Sequence, residues 1–143
     1  GATHGEIEND IWVIPATRMK ANREHRVPLS EQAASLVGLP LALKRRIAPS
    51  QDFLFSNIET KCLSNMAMYK ILKNRCHANK YTVHGFRASF RTWCADNRVD
   101  FYVAETCLAH SVQTRVQDAY QRSDLLEQRA EVMQAWADFV LPD

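Results

Sequence analysis

The spacing of apolar residues changes partway along the chain, and that change limits which folds are open to it. Before residue 30, apolar residues come as two short β-rich runs, 11–15 (IWVIP) and 25–29 (HRVPL). They flank a polar, basic connection, 16–24 (ATRMKANRE), so the segment is expected to form a β-hairpin with a long exposed turn. From about Ser64 the period lengthens to that of helices. Met68, Ile71, Leu72 and Arg75 follow the spacing of one amphipathic helix ending near His77. A second helix is expected over 84–97, a third over 101–109 capped by Asp100, and a short one over 116–120. Asp124 with Glu127 has the form of a capping box for a last helix, with an apolar stripe of Leu125, Val132, Met133, Trp136 and Val140. Ser30 is placed to cap a further helix through Leu36, followed by a basic link, 39–50, and a short apolar run at 52–55. These elements make a mainly α fold with a small antiparallel β-sheet, an α+β class.

Length and composition narrow the function classes. A chain of 143 residues, 46% apolar and 24% charged, suits one domain with a real core. No stretch of about 18 uncharged apolar residues exists to span a membrane, and the first residues lack a signal peptide's basic and apolar regions. A cytoplasmic protein is the expectation. Cys62, Cys76, Cys94 and Cys107 form no close pair, which argues against a zinc site; no metal and no cofactor is expected. Net charge is only +2, but its distribution is uneven. Residues 1–99 carry 15 Lys/Arg against 8 Asp/Glu, while residues 100–143 carry 3 against 8. One basic face for a polyanion and one acidic face for protein would fit this asymmetry, as would chance.

The helix over 84–97 carries the most chemistry. At about 100° per residue, Phe86, Phe90 and Trp93 fall on one side and His84, Arg87 and Arg91 on the other. Aromatics would anchor the helix in the core while it presents an imidazole and two guanidiniums. Arginine pairs with phosphate oxygens bidentately, and histidine moves a proton near neutral pH. Taken alone, the segment reads as a solvated polar face with an N-terminal His.

Downstream lie Leu108-Ala109-His110 and, ten residues on, Tyr120 in AYQRSDLLEQR. An H-x-x-R, then L-A-H, then a tyrosine in this order resembles the tyrosine recombinases of the phage-integrase type. The hairpin WVIPATRMKANREHRVPLS and the ending after Tyr120 resemble the prophage and genomic-island integrase branch, so the likeness covers essentially the whole chain. The resemblance implies the catalytic-domain fold of that family and a DNA-cleaving site. Its residues are Tyr120 as nucleophile, Arg87 on the phosphate, His84 as base or proton relay, His110 as a donor to a phosphate oxygen and hairpin Lys20 as acid. The family's pattern also holds an arginine motif before the hairpin. By the same resemblance, residues 1–143 are expected to be one catalytic domain, truncated so that this arginine and the core-binding domain are absent, and nearly inactive alone. Ala109, where many members have Gly, is expected to matter little.

The implied reaction is transesterification. The phenol attacks a phosphodiester, leaves a 3′-phosphotyrosine and a free 5′-hydroxyl, and so conserves the bond energy for rejoining. The implied partners are double-stranded attachment-site DNA and three further protomers in a tetramer, with Trp136 and Phe139 on the last helix suited to a protein contact or equally to packing on their own core. Arg91, Arg18 and Arg23 are candidate DNA contacts. Plainer readings stand beside these: Tyr120 as an ordinary half-buried tyrosine, Lys20 as one backbone contact in a basic loop, His110 as a helix-terminus cation, and Lys44, Arg45 and Arg46 as a solvated face. A non-catalytic DNA-binding helical module derived from an integrase, and a metal-dependent nuclease, are the rival functions.

Overall fold

A computed structural model describes residues 1–38, 53–56, 62–110 and 124–142. Three antiparallel strands, β1 (Ile7–Glu8), β2 (Ile11–Ile14) and β3 (His25–Pro28), lie in sequence order. The β2–β3 hairpin matches the expectation, with Ile11 opposite Pro28 and Ile14 opposite His25. β1 was not anticipated. It is only two residues long, and its signal is the turn Asn9-Asp10, where both residues take positive φ (48° and 60°). Short polar side chains tolerate that left-handed region, and a two-residue turn of this kind matches the twist of the strands it joins.

Among the described residues five helices follow: α1 (Glu31–Val37), α2 (Ala67–Asn74), α3 (Gly85–Asp96), α4 (Phe101–Cys107) and α5 (Leu126–Val140). Two starts match their sequence signals. The Ser30 hydroxyl accepts from Ala33 N at 3.2 Å. The Asp100 carboxylate accepts from Tyr102 N at 2.8 Å and Val103 N at 3.2 Å. The expected Asp124–Glu127 box is overturned, because Leu125 occupies the cap position at φ 53° and no side chain caps the helix. Asp124 points elsewhere, to Arg26 on β3 at 3.1 Å. The apolar run at 52–55 contributes an isolated bridge, Phe53 to Thr3. The expected link 39–50, with its cations, and the expected short helix 116–120 lie outside the described residues.

The core is small and forms where α3, α4 and α5 meet. Phe90, Cys94, Ala104 and Leu108 are buried, with Trp93, Val132, Met133 and Trp136 packed against them. Phe90 meets Trp136 edge-on at 5.5 Å, and Trp93 meets Trp136 at 5.3 Å. Burying such side chains contributes roughly 1.5–3 kcal/mol each. Two expectations fail here. Phe86 is 54% exposed rather than in the core, and Met68 and Ile71 on α2 are exposed as well. Helix α1 docks on α5 through polar groups, with Glu31 N donating to Gln134 Oε1 at 2.9 Å and Gln32 Nε2 to Asp138 Oδ1 at 2.8 Å. Among the described residues no helix is long and apolar enough to cross a membrane.

Candidate active site

Helix α3 starts at a tight turn. The Thr82 hydroxyl accepts from Gly85 N at 2.9 Å, and a Cβ at position 85 would sit 3.2 Å from that oxygen. Thr82 therefore does the capping, and His84, in the cap position, makes no capping bond with its imidazole. Arg87 follows one turn later, its N–H bonded to His84 O at 3.1 Å. His84 and Arg87 thus leave the same end of one helix.

His110 comes from a different element. Helix α4 ends in a reversal in which Ala109 N donates to Thr106 O and His110 N to Glu105 O, both at 3.0 Å. This double closure is the Schellman motif, and it needs a left-handed residue at position 109. Ala109 supplies it at φ 53°. The turn carries His110 back across the helix end, where its Nδ1 lies 2.8 Å from Glu105 Oε2 and its Nε2 lies 2.9 Å from Arg87 Nη2. The same Arg87 nitrogen donates to Leu108 O. Arg87 and His110, 23 positions apart in the chain, are brought into direct contact.

Alanine at 109 matters more than the sequence suggested. A Cβ in the left-handed region costs about 1–2 kcal/mol, partly offset by the unfolded-state entropy that glycine carries. Ala109→Gly is expected to stabilise the chain by about 0.5–1 kcal/mol, read as a higher urea midpoint with unchanged slope. A lower midpoint would contradict the left-handed assignment.

The other candidates lie in different settings. Lys20 and Arg23 are exposed in the turn between β2 and β3. Arg18 is engaged within the chain by the Glu6 carboxylate and Gly1 O. Burial alone would raise the Glu6 carboxyl, but bonds from Trp12, Thr3 and Arg18 hold it below its ordinary value. Arg91, a candidate DNA contact, pairs with Glu105 Oε1 at 2.6 Å and lies over the Phe101 ring at 5.0 Å. Tyr120 lies outside the described residues.

Sequence inspection missed two residues. Glu105 is a lone acid in an otherwise apolar turn of α4, five positions before His110. Arg129 sits on the apolar stripe of α5 between Leu125 and Val132, and a cation on such a stripe is itself a signal. It is 1% exposed and donates to Asp124 O at 3.2 Å and to Arg26 O. Burial and then the Arg129 charge push the neighbouring His25 imidazole below its ordinary value, against an opposing pull from Asp124.

Helix α3 and the turn after α4 thus bring an arginine and a histidine to one point. The chain belongs to the phage integrase family, whose sequence profile matches residues 4–126. It is 36% identical over 131 residues to the prophage integrase IntA of Escherichia coli K12, which covers 90% of this chain and 31% of that protein. The prophage integrase IntS of the same strain is 30% identical over 137 residues, covering 94% of this chain and 35% of its own length. The tyrosine recombinase XerD of Staphylococcus aureus Mu50 is 30% identical over 120 residues, covering 76% and 40%. The chain therefore spans about a third of the length of the curated relatives it matches. No solved structure matches it.

Proposed function

We propose that this chain is the catalytic domain of a site-specific DNA recombinase that cuts and rejoins strands through a 3′-phosphotyrosine at Tyr120. The observation that carries this reading is the 2.9 Å contact between Arg87 and His110, built from two helices of a phage-integrase-family chain. Arg87 offers a planar set of N–H donors to the non-bridging oxygens on which charge grows as phosphorus becomes five-coordinate. His110 beside it donates a hydrogen bond to one of these phosphate oxygens. His84, one turn before Arg87, takes the Tyr120 proton, and Lys20 on the exposed hairpin turn protonates the departing 5′-oxygen. Attack by Tyr120 Oη forms the O–P bond and breaks the bond to the 5′-oxygen, and reversal by another strand's 5′-hydroxyl rejoins DNA without ATP. Arg23, and Arg18 once released from Glu6, contact the phosphate backbone, which positions DNA without reading its sequence.

The substrate is double-stranded attachment-site DNA in the cytoplasm, and four protomers act on a pair of sites. The end of α5 supports the protein contact: Phe139 is 63% exposed, and Val140 and Leu141 beside it are exposed too.

The test is covalent trapping. The part of IntA preceding the matched region is fused to this chain and given a nicked suicide substrate in EDTA. A protein–DNA adduct whose peptide map places the nucleotide on Tyr120 is the expected result. An adduct on another residue, or cleavage that requires a divalent metal, would refute the proposal.

A further inference from the structure

Behind the Arg87–His110 pair lies a second layer that the proposed chemistry does not use. The Glu105 side chain is 14% exposed and divides its two oxygens between two partners. Oε1 accepts from Arg91 Nε at 2.6 Å, and Oε2 faces His110 Nδ1 at 2.8 Å. Arg91 itself lies over the Phe101 ring, 5.0 Å from its centroid. The four side chains form an unbroken line, Arg91–Glu105–His110–Arg87, drawn from α3, α4 and the turn that follows it.

Only one proton arrangement satisfies this line. Burial would raise the Glu105 carboxyl, but the bonds from His110 and Arg91 hold it below its ordinary value, so it is an acceptor at neutral pH. His110 Nδ1 must then carry the hydrogen. A guanidinium has no acceptor, so Arg87 Nη2 must donate, and His110 Nε2 receives it with its lone pair. We propose that Glu105, braced by Arg91, is a positioning residue that fixes His110 in the Nδ1–H form with Nε2 turned toward Arg87, and that Arg91 supports this layer instead of contacting DNA.

The catalytic consequence rests on reading Arg87 and His110 as phosphate ligands. In the DNA-free chain His110 Nε2 is an acceptor. To donate to a phosphate oxygen it must gain a proton, and the imidazolium then keeps its Nδ1–H on the Glu105 carboxylate. Arg87 faces the ring from α3 and Glu105 from α4, with Arg91 behind Glu105. Two cations at 2.9 Å repel, so protonation releases Arg87 from His110 toward the phosphate.

Long-range proton–nitrogen correlation spectra of the 143-residue chain at neutral pH test the assignment without any variant. The expected result is a single Nδ1–H form for His110; a dominant Nε2–H form overturns the proposal. Glu105→Gln should give a mixture of both forms. Arg91→Ala should change duplex affinity less than about twofold and leave its salt slope unaltered, whereas a slope reduced by about one would make Arg91 a phosphate contact. In the IntA fusion, Glu105→Gln should slow adduct formation roughly tenfold, as outer partners of a working histidine do, with its pH profile displaced. If the fusion forms no adduct while the Nδ1–H form is seen, the recombinase reading fails and the positioning assignment survives.

Discussion

Arg129→Ala is expected to destabilise the chain by about 3–5 kcal/mol, a large part of the roughly 5–15 kcal/mol that holds a domain of this size folded. The side chain is 1% exposed, so its loss leaves a void that a small core cannot readily close. Its guanidinium donates to Arg26 O on β3 and to Asp124 O just before α5. Both bonds are part-buried, and a carbonyl left without its donor there costs about 1–3 kcal/mol at most. The Arg26–Asp124 ion pair crosses the same junction at 3.1 Å but is more than 40% exposed on both sides, too wet to replace the lost bonds. Arg129→Met separates the two contributions. It keeps most of the volume and loses the donors, and should cost about 1–3 kcal/mol. The measurement is urea unfolding followed by tryptophan fluorescence, since Trp93 and Trp136 both lie in the core cluster. An alanine variant within about 1 kcal/mol of the parent would show that the junction does not depend on Arg129.

Arg129 also shows where sequence legibility ends. Signals that act within about four residues were readable: the β-rich runs at 11–14 and 25–28, the Ser30 and Asp100 caps, and the three-four spacing that places Phe90 and Trp93 inward. His84 and Arg87 were legible for the same reason, being one turn apart on one helix. Polar pairings between distant parts of the chain were not. Arg129 finds its carbonyl partner 103 positions away, and Asp124 finds Arg26 at a separation of 98. The Asp124–Glu127 pattern is a local cap signal overridden by that distant partner. Phe86 and Met68 fit helical stripes, but periodicity defines a face without saying what covers it. The Arg87–His110 contact follows from the left-handed turn at Ala109, where a residue other than Gly or Asn hides the turn from view.

Arg87→Lys is the second substitution with a large expected effect, and it should slow adduct formation in the IntA fusion by about 10²–10³-fold. The charge is retained, so any deficit reports geometry. Arg87 Nη2 alone serves Leu108 O and His110 Nε2, leaving the remaining N–H groups of a rigid plane for phosphate oxygens. An ammonium has three donors on one atom. With one of these held by Leu108 O, the other two leave a single point and cannot match two phosphate oxygens as the planar fork does. Duplex affinity should change only a few-fold, because backbone binding counts charges more than it reads shapes. The loss should therefore fall on the single-turnover rate at saturating DNA, the behaviour of a contact made in the transition state. A lysine variant within about threefold of the parent rate, under those conditions, would reduce Arg87 to a point charge and remove the fork from the proposed chemistry.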